Sequence, residues 1–295
     1  MSVCMRTHSM RFYMRGILMY KILKKEKLNE AVTRMVIEAP FVAKKAEPGQ
    51  FIILRVDENG ERVPLTISDF DREAQTVTII FQVVGAETSR LNQKKEGEYI
   101  HDFVGPLGNP TKTEGYKRVA VVGGGVGCAI AYPAAKKFAQ SGAVVHSIIG
   151  FRNKDLVILQ KEFEEVSDKY VLVSDDGSTG KKGFVTDALK ELIDGGENYD
   201  LVLAIGPLPM MKFVCKLTEN YGIKTIVSMN PIMIDGTGMC GGCRLTVGGE
   251  TKFACVDGPE FDGHLVDFDE AMERGSMYKG FEREASCNLL NKEVQ

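Results

Sequence analysis

Val119-Ala120-Val121-Val122-Gly123-Gly124-Gly125-Val126-Gly127-Cys128-Ala129 reads as a buried strand that runs through a glycine turn into the start of a helix. A continuous apolar, β-branched run of this length belongs to a strand covered on both faces. Glycines behind it let the backbone turn sharply, so that the first N–H groups of the helix face outward. Such amides carry a partial positive charge and suit a pyrophosphate. The strict G-x-G-x-x-G fingerprint is not met, because counting from Gly123 puts Cys128 in the third glycine position. Taken alone, the stretch is also compatible with a tight strand–helix connection. Cys128 sits where a helix N-terminus favours a thiolate, and it is a candidate proton donor or a packing residue.

The same grammar continues toward the C-terminus. Strands are expected over 118–122, 144–150, 170–174, 201–205 and 225–229, and helices over 128–140, 155–166, 185–193 and 209–221. Strand–helix alternation predicts a parallel sheet with helices on both faces. Loops at the carboxyl ends of its strands form one rim, where ligands bind in open α/β sheets. Three loops fall there: Gly123, Gly124, Gly125, Val126 and Gly127; Asp175-Asp176-Gly177-Ser178; and Gly206-Pro207-Leu208-Pro209-Met210. The second strand ends in Gly150-Phe151-Arg152 without the usual carboxylate for a ribose hydroxyl. Arg152 would suit a 2′-phosphate, and spacing does not decide between NAD and NADP.

Residues 19–112 have a different pattern. Short apolar runs (51–56, 77–84 and 99–104) alternate with turn signals at Pro48-Gly49 and Asn59-Gly60. Helical periodicity is scarce, which predicts an antiparallel β barrel. Within it, Arg62-Val63-Pro64-Leu65-Thr66 is a candidate flavin-edge strand, with Arg62 as phosphate ligand or as a solvated charge. Gly85, Thr88 and Ser89 open a short helix suited to a pyrophosphate.

A third module follows. Cys240-x2-Cys243-x11-Cys255 lies among glycines, with Asp235 four intervening residues before Cys240 and a hairpin turn at Gly248-Gly249. Plant-type 2Fe–2S sites space their ligands C-x4-C-x2-C…C. Asp235 stands where the first cysteine would be, and a carboxylate is able to ligate iron. The competing readings are a structural zinc site, with His264 the one nearby histidine, unrelated buried thiols, and Asp235 as a turn residue before glycine.

The chain has 295 residues, a net charge of −3, seven cysteines and no tryptophan. Its length allows two or three domains with real cores. No basic stripe stands out, so nucleic acid is a poor partner. No apolar run reaches the roughly 18–20 residues of a membrane helix. An odd cysteine count without an export signal argues for a reducing cytoplasm. Residues 1–18, rich in methionine and arginine, read as an N-terminal extension, and 269–295 as a charged C-terminal tail. Between them the expected divisions are a barrel at 19–114, an α/β domain at 115–230 and a cluster module at 231–268.

Together these segments resemble the ferredoxin–NADP reductase superfamily. The order of barrel, nucleotide domain and C-terminal cluster is similar to the electron-transfer subunits of dihydroorotate dehydrogenase. The stretch Pro231-Ile232-Met233-Ile234-Asp235-Gly236-Thr237-Gly238-Met239-Cys240-Gly241-Gly242-Cys243 is more similar to the small subunits of NADH-dependent reduced ferredoxin:NADP oxidoreductase. The resemblance implies FAD on Arg62, Pro64, Leu65, Thr66, Gly85, Thr88 and Ser89. It implies NAD(H) on the three rim loops, Asp176 included, and a 2Fe–2S cluster on Asp235, Cys240, Cys243 and Cys255. It implies no acid–base catalyst. It further implies a heterodimer with a larger flavin and iron–sulfur subunit that handles NADP(H) and ferredoxin. One departure stands out: the superfamily's R-x-[YF]-[ST] motif places its arginine at Val63 if Thr66 is the hydroxyl residue, so Arg62 is one position off. The alternatives are a subunit of dihydroorotate dehydrogenase or a hydrogenase, and, from another class, a cluster-based redox sensor without diaphorase activity.

Overall fold

A computed structural model describes residues 13–14, 17–277, 280 and 284. Most of the N-terminal extension and of the C-terminal tail, with Cys4 and Cys287, lies outside them. The first elements among the described residues are a two-residue pair, Tyr13–Met14 (β1) and Ile17–Leu18 (β2).

The barrel strands are Tyr20–Lys27 (β3), Val32–Glu38 (β4), Phe51–Arg55 (β5), Arg62–Asp71 (β6), Thr76–Gln82 (β7), Tyr99–Ile100 (β8) and Asp102–Leu107 (β9). They lie in the order β8-β3-β4-β7-β6-β5-β9, every neighbour antiparallel. The two end strands are consecutive in the chain, so the sheet curls into a nearly closed barrel. Alternate residues point inward, and Ile22, Met35, Ile37, Ile52, Ile79 and Phe103 form the core. Two short helices, Pro40–Ala43 (α1) and Ala86–Gln93 (α2), cover its ends.

The second sheet contains Arg118–Gly124 (β10), Val144–Phe151 (β11), Lys169–Ser174 (β12), Leu201–Ile205 (β13) and Thr225–Ser228 (β14), all parallel. The order β12-β11-β10-β13-β14 reverses between β10 and β13. The crevice beside that reversal is where a doubly wound sheet binds ligands. Helices Cys128–Gln140 (α3) and Gln160–Val166 (α4) cover one face, and Val185–Asp194 (α5) and Leu208–Glu219 (α6) the other.

The helix expected over 155–166 is split. A 3-10 turn spans Lys154–Leu156, Leu159 takes φ +57°, and α4 starts only at Gln160. Burying Ile158 and Leu159 in the core below α3 outweighs continuing the helix. The barrel docks on α3: the Ser68 hydroxyl donates to the Ala129 carbonyl at 2.7 Å, fully buried.

The C-terminal module contributes Arg244–Val247 (β15) and Glu250–Phe253 (β16), a hairpin whose two turn glycines both have positive φ. Glu260–Asp262 (β17) then adds an antiparallel edge to β14, and Phe268–Arg274 (α7) follows. One hydrophobic core therefore runs from the nucleotide sheet into the module, through Val227, Met229, Met233, Cys243, Leu245 and Phe261.

Candidate nucleotide cavity and cluster loop

A cavity of about 1100 Å³ lies between the barrel edge, the sheet's carboxyl rim and the start of the C-terminal module. From the barrel, Pro64, Leu65 and Thr66 on β6 line it. From the rim come Gly124 to Gly127, and Gly206, Pro207 and Met210. These ten residues, chosen from sequence, are brought to one space. Glycine is required at Gly127: a Cβ there would lie 2.7 Å from the Ile205 carbonyl oxygen and 2.8 Å from Gly206 Cα. The first and third loops are in backbone contact, and only hydrogen fits between them.

Other candidates lie outside the lining. Gly123 is behind the loop, against Ile149 and Cys128. Arg62 is exposed at the start of β6, opposite Arg55. Thr88 spends its hydroxyl on the cap of α2, accepting from the Val84 and Gly85 amides at 3.0 Å each. Gly85 and Ser89 flank that cap, with open space above Gly85. Asp176 is exposed and accepts from the Ser178 hydroxyl and amide at 2.6 and 2.9 Å, which hold its carboxyl below the usual range. Its neighbour Asp175, with Arg152, faces the cavity instead. Cys128 is fully buried, and burial raises its thiol far above the ordinary range. It packs, and the pull of the helix terminus is overridden by desolvation.

Sequence reasoning missed two groups. Met229, Asn230, Pro231 and Met233 form the wall nearest the cluster loop. Their position beyond the carboxyl end of β14 was a usable signal. Phe184 and Phe213 sit at the cavity mouth, 62% and 60% exposed. Large aromatics left open beside a cavity offer a stacking surface, but nothing in their sequence context marks them.

The cluster loop is built from turns. Asp235 accepts from the Thr237 amide at 2.8 Å and the Cys240 amide at 3.2 Å. The Thr237 amide, with Cys240 behind it, keeps its carboxyl below the usual carboxylate range. Gly236 holds φ +76°, and a Cβ there would strike Ile53 and Leu107 of the barrel at 2.8 Å each. Cys243 and Cys255 are buried with their sulfurs 3.2 Å apart, while Cys240 is exposed. Burial, with Cys243 alongside, pushes the Cys255 thiol up to about 12. The Gly242 amide points at the Cys240 sulfur and the Cys255 amide at the Cys243 sulfur, each at 3.5 Å. Amides aimed at sulfur favour thiolates carrying iron.

Among the described residues no three His, Cys, Asp or Glu side chains close on a single point. A zinc ion needs four ligands on one centre, whereas a two-iron cluster takes its ligands in two pairs. Cys243 and Cys255 bring their sulfurs together as one such pair, while Asp235 meets Cys240 through the Cys240 backbone amide. His264 is turned away, with Nε2 3.1 Å from the Thr218 hydroxyl.

A barrel and a doubly wound sheet that share one cavity, with a cysteine loop following the Met229–Met233 stretch at its wall, define a flavin- and nicotinamide-dependent oxidoreductase with an iron–sulfur centre. Comparison with known proteins supports that class. Residues 121–216 match the oxidoreductase NAD-binding domain, and residues 230–267 match the iron-sulfur cluster binding domain of dihydroorotate dehydrogenase B. A Thermotoga maritima protein described as a homolog of the dihydroorotate dehydrogenase B (NAD(+)) electron transfer subunit is 48% identical, over 92% of this chain and 95% of its own. The corresponding subunit from a Geobacillus species is 32% identical, over 81% and 94%. A chain from the solved NADH-dependent reduced ferredoxin-NADP oxidoreductase, reported in work on flavin-based electron bifurcation, is 46% identical. It superposes with a TM-score of 0.88 over 94% of this chain and all of that one. The chain belongs to the family of dihydroorotate dehydrogenase B-type electron transfer subunits, on a ferredoxin–NADP reductase-like fold with FAD, NAD(H) and a 2Fe–2S cluster as its cofactors.

Proposed function

We propose that this chain is the NADH-side subunit of a two-subunit cytoplasmic oxidoreductase like the one whose small chain it superposes on. When bound, the cofactors supply the chemistry: hydride exchange between NAD(H) and FAD, and one-electron transfer through the cluster. The chain's own residues bind and orient. Pro64, Leu65 and Thr66 would back the flavin ring, and the open first turn of α2, with Gly85 and Ser89, would take a distant phosphate. The amides of Gly124 to Gly127, facing Gly206, Pro207 and Met210, would hold the pyrophosphate of NAD(H). Asp235, Cys240, Cys243 and Cys255 would hold the cluster. No side chain is assigned as an acid or base, since none is needed for hydride transfer.

The larger subunit would carry its own flavin and iron–sulfur groups, handle NADP(H) and ferredoxin, and be the place of any bifurcation. The observation that carries this reading is the 46% identity and 0.88 TM-score across the full length of the small chain. The surface beside the exposed Cys240 supports it. Ile234, Met239 and Val256 are 54%, 88% and 43% exposed around the loop, an apolar rim suited to a partner. A second reading is favoured by the relatives' descriptions: the partner would then oxidise dihydroorotate.

Native purification separates the two. The first expects a copurifying large flavoprotein with NADPH–ferredoxin activity, the second a partner that reduces this chain from dihydroorotate. A chain recovered alone that fails to pass electrons from NADH to an artificial acceptor contradicts both.

A further inference from the structure

Glu260 is a carboxylate that neither the cavity nor the cluster loop uses. It opens β17, in register with Ser228 of β14. Ser228 and Pro259, on either side of it, line the cavity. Although the residue is only half-buried, its carboxyl end is turned into a seam where three bodies meet. From the barrel, the Pro48-Gly49 turn presses on it: a Cβ on Gly49 would stand 2.3 Å from the Thr111 hydroxyl and 3.1 Å from Glu260 Oε1. From the segment between barrel and sheet, the Thr111 hydroxyl donates to Oε1 at 2.6 Å, while the Thr111 amide donates to the Pro48 carbonyl at 2.8 Å. From the module, the Gly258 and Val256 carbonyls accept from the Asn109 backbone and side-chain amides, at 2.7 and 3.0 Å. Residues 108–111 thus strap the cluster module to the barrel, and Glu260 lies at the end of the strap.

Among the described residues no cation pairs with this carboxyl. Each neighbouring element's ionisable groups are committed or turned out. Glu47, before the Pro48-Gly49 turn, pairs with Arg72 and Lys137. Lys112, after Thr111, is exposed. In the module, Asp257 accepts from the Phe253 amide; on β17 itself, Asp262 accepts from the His264 amide. Across the sheet the neighbours are Val227 and Ser228 of β14 and the following Met229, with no charge.

We propose that Glu260 is a positioning residue of the electron path, which in its neutral form seals the cluster module against the flavin barrel and whose ionisation works that seam open. Burial pushes its carboxyl up to about 7, with the Thr111 hydroxyl acting the other way. The seam's advantage is therefore full below the ordinary carboxylate range and is lost as pH rises through about 7. Between those two points each pH unit multiplies the opening constant by about ten, and above about 7, where the carboxyl is ionised whether the seam is closed or open, it levels off.

The proposal rests on reading 230–267 as the cluster module, but not on which partner receives the electrons. Its test is hydrogen–deuterium exchange on the full-length holoprotein between pH 5.5 and 8.5, corrected for intrinsic exchange and read at 108–111 and 254–262. Wild type should lose protection about tenfold per pH unit from pH 5.5 to about 7 in these segments and level off above that, while β10 and β13 stay unchanged. Glu260→Gln, which keeps the shape without the proton, should be flat and resemble wild type at low pH. A flat wild-type profile, or the same loss in Glu260→Gln, overturns the proposal. Should that variant fail to fold, the infrared carbonyl band of a protonated carboxyl decides: wild type must show one near pH 6 that disappears by pH 8.5, and its absence overturns the proposal. NADH-driven flavin bleaching in the same sample reports separately on the functional reading.

Discussion

Asp235 spends both carboxylate oxygens on its own loop, one on the Thr237 amide and one on the Cys240 amide. Those bonds are what a turn-forming aspartate makes, and they also keep the group ionised and beside Cys240, as a ligand must be. Substitution separates the two roles. Asparagine retains an oxygen acceptor for the Thr237 amide but loses the charge and the acceptor for the Cys240 amide; cysteine loses the turn but supplies a thiolate. If Asp235 is a ligand, Asp235→Asn should lose at least half its iron and change its EPR signal, and Asp235→Cys should keep the cluster at a shifted potential. An Asn variant with full iron and an unaltered signal would make Asp235 a turn residue only. The cluster module was legible because cysteine spacing and glycines speak to iron without any fold. Cys128 was not, because its chemistry depends on burial that no local pattern reveals. Arg62 was ambiguous for a related reason: in a strand, one residue of offset moves a side chain to the other face.

Among the elements, the loops after β10 and β13 pack backbone against backbone, and the strand order reverses between them. Gly127→Ala would place a methyl 2.7 Å from the Ile205 carbonyl. Overpacking of this kind costs about 1–3 kcal/mol. Thermal unfolding should show a lowered Tm, and equilibrium titration a weakened affinity for NADH, since the turn that presents the amides must shift. Unchanged Tm and affinity would mean the contact relaxes freely. The rim itself was readable from strand–helix alternation, because where loops fall follows from topology. The break at 157–159 was not, since the pull of the core on Ile158 and Leu159 is a tertiary effect. Phe184 and Phe213 are known as wall residues only once α5 and α6 are placed.

At the scale of the whole molecule, the three bodies are continuous. β17 completes the nucleotide sheet, Gly236 leans on the barrel, and residues 108–111 strap one to the other. This continuity lets one cavity abut the flavin strand and the nicotinamide loops, with Met229, Asn230, Pro231 and Met233, which lead into the cluster loop, as its wall. The order of the three was visible in the sequence; their seams, and Glu260 within them, were not, because residues far apart in the chain create them. The central claim is that electrons from NADH cross this wall. The most direct measurement is an anaerobic titration of the purified chain with NADH, followed by absorption and EPR together. The account predicts that the flavin bleaches and that a reduced 2Fe–2S signal grows with it, up to one electron per cluster. Flavin bleaching with the cluster left oxidised throughout would contradict it.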